Sequence, residues 1–174
     1  MMFGLLVFGA IVVVVFSFVT AHNRLVAAAE KATGAWNDLD ALLRQRHDEI
    51  PKVIEMCEPY LPQDRAVFDQ LLESRAAVFA ARQTRDADAL SHAEQALRKA
   101  AADLLGTRAA GVPELAASPA FGMVAQRQTT LDAELAAARD RYNTAVRDYN
   151  AAISGLPGRV VALLGEFPPL HALD

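Results

Sequence analysis

A single cysteine, few aromatic rings and no excess of positive charge limit what this chain can be before any motif is sought. Cys57 has no second cysteine to pair with, so no intrachain disulfide forms and no Cys/His metal cage is available. It falls on an apolar seam described below and reads as a packing thiol, compatible with a reducing compartment. Lys and Arg number 17 against 21 Asp and Glu, a formal charge of −4. That balance leaves no basic field to collect phosphates, which argues against nucleic acid as a partner. Aromatic residues are 7% of a chain that is 53% apolar. With abundant Ala, Leu, Arg, Glu and Asp, and with Gly and Pro gathered at segment ends, this is the composition of a helical protein.

The motifs of common chemistries are also missing. There is no Gly-rich phosphate loop and no Gly-x-Ser-x-Gly elbow. His22, His47, His92 and His171 are scattered, and none stands in a Glu-x-x-His or His-x-x-x-His pattern that would set two ligands on one helical face. His47-Asp48-Glu49 is a charged helix face, because consecutive residues on a helix point in different directions and do not converge. No acid, base and nucleophile set emerges. The expectation is a protein that is not an enzyme, with no catalytic, cofactor-binding or metal residues and no cofactor.

Ionisable side chains are absent altogether from residues 1–21, and thirteen of the seventeen residues from 3 to 19 are Phe, Leu, Ile or Val. At about 1.5 Å per residue the run reaches roughly 30 Å, the thickness of a bilayer core. At about −0.3 to −0.6 kcal/mol for each such side chain, the thirteen favour insertion by on the order of 6 kcal/mol. A cleaved signal peptide is the rival, since Val19-Thr20-Ala21 resembles a cleavage site, but the leading basic region is missing and the run is long. A retained single-pass anchor over residues 1–21 is expected, with the lipid bilayer as its partner. Arg24 and Lys31 follow the span and no Lys or Arg precedes it, which places the C-terminal domain in the cytoplasm.

Beyond the anchor the apolar spacing is helical. Leu25, Ala32, Leu39 and Val53 share one seven-residue row, and Ala29, Trp36, Leu43, Ile50 and Cys57 share another, a coiled-coil-like seam. Arg46 takes an apolar place on the first row, either snorkelling at the seam edge or paired with a buried carboxylate. From residue 3 to 50 the only weak helix former besides the anchor's own glycines is Gly34, so anchor and first helix read as one rod, with Pro51 a place to kink.

Pro59 and Pro62 end that helix, and Asp64 is placed to cap a second, with Phe68, Leu71, Leu72, Val78 and Phe79 on one side and Arg65, Asp69, Glu73 and Arg82 on the other. A polar turn at 83–88 leads to a third helix marked by Leu90, Ala93, Leu97, Ala101 and Leu104, ending near Gly106 or Gly111. After a loop at 111–117, Ser118-Pro119 opens a fourth, with Val124, Leu131, Leu135, Ala138, Tyr142, Ala145, Tyr149 and Ala152 as its seam and Gly155 and Pro157 as its stop. The fold expected is all-α: an N-terminal transmembrane helix continuing into an antiparallel up-down four-helix bundle over residues 22–157. Residues 158–174 form a C-terminal tail or a short helix packed on the bundle.

The first and fourth helices carry a resemblance. Ala35-Trp36, Leu39-Asp40, Leu43-Arg44, Arg46, Asp48, Ile50-Pro51 and Glu55, with Arg139, Tyr142-Asn143, Val146, Tyr149-Asn150, Ile153 and Pro157, resemble the LemA family of bacterial membrane-anchored helical proteins. Pro113-Glu114-Leu115 with Phe121 resembles that family's Pro-acid-Leu loop, so the similarity runs over about residues 22–157. Gln45, Glu49, Lys52 and Pro59 depart from the pattern. The resemblance implies an N-terminal anchor in the bacterial inner membrane and a helical bundle, in a family with members tied to signalling or to shaping organelle membranes.

Asn143 and Asn150 lie seven residues apart with Arg139 four before Asn143, so the three line one edge of the fourth helix. They are expected to face Asp40, Arg44 and Asp48 on the first helix as a polar ladder that fixes register. Two functions stay open. One is a non-catalytic membrane scaffold that self-associates into a homo-oligomer or recruits a membrane-protein partner, with Ala76, Ala77, Ala80 and Ala81 permitting close helix approach, and that shapes or organises the membrane. The other is a membrane-bound signalling adaptor or sensor, holding a peptide or small ligand between helices near Trp36, Tyr142 and Tyr149.

Overall fold

A computed structural model describes residues 2–173, and among these residues the regular structure is helical, with no strand. Helix α1 spans Met2–Cys57 and passes through Pro51 without ending. Helices α2 (Arg65–Thr84), α3 (Ala87–Asp103), α4 (Pro113–Ala116), α5 (Pro119–Ser154) and α6 (Gly158–Leu164) follow. The chain divides into two compact units. One holds the residues of α1 up to Trp36 with Arg141–Ala172, and the other holds Asn37–Asp140 with Leu173.

The heptad reading of α1 matches its burial. Leu25, Ala32, Leu39, Arg46 and Val53 on the first row, and Trp36, Leu43, Ile50 and Cys57 on the second, are all buried, while Ala29 is half-buried. The apolar residues that precede them are not. Phe3, Leu6, Phe8, Ile11 and Phe16 stand 56–81% exposed, and this run makes α1 long and apolar enough to cross a membrane.

In the first unit, the cluster of Leu25, Tyr149 and Val161 gathers Phe18, Ala21, Ala152, Ala162, Phe167 and Leu170 around it. Trp36 meets Tyr142 edge to face at 5.5 Å, His22 meets Phe167 likewise at 6.2 Å, and Lys31 pairs with Asp148 at 2.9 Å. Gly158 is needed where α6 begins. A Cβ there would stand 2.0 Å from the carbonyl oxygen of Ala152, a backbone atom that cannot swing away.

In the second unit, α2 departs from its expected pattern in three places. Leu72 and Phe79 are 44% and 46% exposed instead of buried with Phe68, Leu71 and Val78. Arg82, expected on the polar side, is buried, because its guanidinium reaches Asp40 at 2.7 Å. Asp64 sits at the N-cap of α2 yet makes no side-chain cap, since its carboxylate is taken by Arg108. The turn before α3 is shaped instead by Arg85 in the left-handed region (φ 52°) and by Asp86, whose side chain accepts the Ala89 amide at 2.9 Å. The helical path after α3 runs on through a π turn at Leu104–Arg108 and a 3-10 turn to Gly111, and the expected loop at 111–117 contains α4. Helix α5 starts and stops where Ser118-Pro119 and Gly155 predict.

Candidate functional site

The second unit holds a half-open cavity of about 410 Å³ built on the first-row anomaly of α1. Leu39 and Leu43 enter it because the seam of α1 turns them inward, and Leu90 of α3 and Leu135 of α5 do the same from their own apolar stripes. Arg46 lies between them and is 4% exposed. Its guanidinium donates to Glu94 Oε2 at 2.8 Å and to Asp132 Oδ1, so the buried-pair reading holds and the snorkelling one does not. Two carboxylates satisfy a fork that water no longer reaches, which is how a buried guanidinium is tolerated.

Glu94 is the least settled member of this group. Burial pushes its carboxyl above the usual carboxylate range, and the attraction of Arg46, then of Arg139 and Arg98, only partly offsets that. Its Oε1 is buried without a hydrogen-bond partner. Arg98 and Arg139 line the same cavity and are exposed. The arrangement joins an apolar wall of leucines to a polar side made by the Arg46 ion group with Asp88, Ser91, His92 and Gln95 and the guanidinium groups of Arg98 and Arg139, which suits binding an amphiphilic small molecule. Among the described residues no three His, Cys, Asp or Glu side chains group as a metal site requires. The thiol of Cys57 is fully buried and its pKa is pushed up to about 11 by that burial, so it is held protonated.

The six residues of the expected polar ladder fall in different units. Asp40, Arg44, Asp48 and Arg139 belong to the second, Asn143 and Asn150 to the first. Asp40 accepts from Arg82 at 2.7 Å and from Arg44 Nη2 at 2.5 Å. Burial acts to raise its pKa, but the hydrogen bonds and charges of Arg82 and Arg44 outweigh it and hold the carboxyl below its ordinary 3.8. Asp48 is exposed on the helix surface. Asn143 is half-buried.

Asn150 turns to the C-terminal segment. Its Nδ2 donates to the Leu170 carbonyl at 2.7 Å and its Oδ1 accepts the Leu170 amide at 3.0 Å. Tyr149 Oη donates to the Pro168 carbonyl at 2.8 Å and Tyr142 Oη to the His171 carbonyl at 3.1 Å. Tyr142, Tyr149 and Asn150 of α5 thus clamp a non-helical peptide by its backbone. This clamp is what residue-by-residue reading missed, and the signal for it was the pair of prolines, Pro168 and Pro169, which keep that segment out of a helix and leave its carbonyls seeking donors.

Comparison with known proteins agrees with the motifs that this geometry employs. No curated protein matches the chain. The model of the LemA family matches residues 35–173, from beside Trp36 to the clamped C-terminal segment, and the chain belongs to the LemA family.

Proposed function

We propose that this chain is a non-catalytic scaffold, held in a bacterial inner membrane by residues 1–21, whose cytoplasmic helices form an antiparallel four-helix bundle. In this reading it self-associates or recruits a partner at the membrane and so organises or shapes it. The observation that carries the proposal is the run of exposed Phe, Leu, Ile and Val side chains on α1. Such a surface is not left in water by a soluble chain of this size. A second surface supports self-association: Leu72, Ala76, Phe79 and Ala80 of α2 are exposed on neighbouring turns, small residues beside large ones, as helix-on-helix contact requires.

Mass photometry with electron microscopy of the full-length protein in mild detergent tests this. Assemblies that grow with concentration, and that Ala80→Arg dissolves, are the expected result. A particle of one chain at every concentration would overturn self-association and leave recruitment of a different protein. A second reading, the sensor or adaptor, is supported by the cavity around Arg46 and Glu94, which moves the ligand's place away from Trp36, Tyr142 and Tyr149. It predicts ligand-dependent thermal stabilisation that Glu94→Gln abolishes.

A further inference from the structure

Helix α6 is amphipathic in a way that packing within its own unit does not use up. Val161 is buried and Ala162 half-buried against the cluster that includes Phe18, Ala21 and Leu25 of α1. On the opposite side Val160, Leu163 and Leu164 are exposed, the two leucines at 77% and 75%, and Leu156 just before the helix is 83% exposed. Three large exposed leucines on so short a stretch are an apolar surface awaiting a cover. Their position names the cover. Phe18 and Ala21 close the uncharged run and Leu25 lies four residues past it, so with residues 1–21 as the span α6 is docked where α1 would leave the hydrocarbon.

The charges nearby suit the same surface. Arg24 and Arg159, both exposed, follow the apolar run and open α6, and basic groups beside an apolar surface suit anionic lipid phosphates. Beside them a cleft of about 570 Å³ opens, with Phe16 and Leu156 on its apolar wall and Arg24, Ser17 and Thr20 on its polar side. Asp148 also lines it, with its charge paired to Lys31 at 2.9 Å. We infer that α6 is a second membrane contact, a short helix lying in the interfacial layer with Leu156, Leu163 and Leu164 among the acyl chains, next to a cleft that accepts a phospholipid segment. This inference rests on the reading of residues 1–21 as a membrane span. Two contacts on one unit restrict how α1 can tilt and rotate in the bilayer, which a single apolar helix does not achieve.

The test places an environment-sensitive thiol fluorophore at Leu163→Cys, and separately at Leu156→Cys, in the full-length chain reconstituted in phosphatidylethanolamine and phosphatidylglycerol vesicles. Phe8→Cys marks the span and Lys99→Cys an exposed site on α3. The wild type, whose thiol is buried, is the blank. The expected result is quenching of the α6 labels by nitroxide lipid, and quenching by aqueous iodide several-fold weaker than at Lys99→Cys. If the α6 labels respond to iodide as Lys99→Cys does while Phe8→Cys is quenched by lipid, the inference is overturned and the span stands. Labels shielded from both quenchers mean that a second protein surface covers α6, which also overturns it. If the Phe8→Cys label escapes lipid quenching too, the span itself is wrong and the inference falls with it.

Discussion

Arg46 occupies a heptad position that an apolar side chain would fill more cheaply, and its fork is held by Glu94 and Asp132. Removing the cation breaks the buried pair and leaves Glu94 only the attraction of Arg139 and Arg98, and breaking a buried pair costs about 3–5 kcal/mol. Arg46→Ala is therefore expected to lose stability of that size in thermal or urea melts followed by circular dichroism in detergent. The sign of its pH dependence follows from Glu94. Its folded pKa already lies above the unfolded value, and loss of Arg46 raises it further. Stability tied to such a group is present at low pH and is lost as pH rises through the folded pKa. The deficit of Arg46→Ala is expected to be larger at about pH 8 than at about pH 5, and an equal deficit at both would show that Glu94 is not its source.

Asp40 works in the opposite sense. Its pKa is held below 3.8 by Arg82 and Arg44, so its contribution is present above that value and is lost as pH falls through the lower, folded one. Asp40→Asn is expected to cost about 1.5–3 kcal/mol at neutral pH, the range for a hydrogen bond to a charged group. It should also flatten the acid limb of the stability curve below about pH 4. Melts of both proteins across that range decide it.

Among the elements, helix ends and buried faces were legible and long-range pairings were not. The seven-residue rows of α1 foretold burial because a helix repeats its faces, and Ser118-Pro119 and Gly155 fixed α5 because proline and glycine act locally. Arg82 left its expected polar side, and Asp64 kept the cap position but not the cap bond, for a complementary reason. Each is spoken for by a partner far along the chain, at Asp40 and Arg108, and no local rule reports such a partner. The cavity was half legible: Arg46 broke the heptad visibly, but no spacing rule pointed to Glu94, 48 residues further on, as its partner. The clamped segment after α6 had no periodicity to read. Its attachment depends on Gly158, where an added Cβ strikes the Ala152 carbonyl at 2.0 Å, whereas at Gly155 the nearest contact is 3.9 Å. Gly158→Ala is expected to displace α6 and raise amide exchange over 158–172 by more than tenfold, corresponding to over about 1.4 kcal/mol, while Gly155→Ala leaves it unchanged. Hydrogen-exchange mass spectrometry distinguishes the two.

For the molecule as a whole, composition divides the chain more sharply than any fold boundary. Residues 1–21 carry no charge, and all 38 ionised side chains of Asp, Glu, Lys and Arg (17 and 21) come after them. The resemblance seen in the Trp36 and Tyr-Asn motifs proved to be true family membership, but the matched region starts at residue 35, so the proposed anchor stands on the length and apolar character of its helix alone. That chemistry can be overturned by number. The thirteen large apolar residues favour insertion by on the order of 6 kcal/mol, and each Arg near the middle of a span opposes it by about 2.5–3.5 kcal/mol. Val12→Arg with Val15→Arg therefore cancels the driving force, while Val12→Leu with Val15→Leu keeps it. The doubly charged variant is expected in the alkaline-carbonate supernatant and the wild type and the leucine variant in the membrane pellet. If the charged variant also sediments with membranes, some surface other than residues 1–21 holds the chain there, and α6 becomes the first place to look.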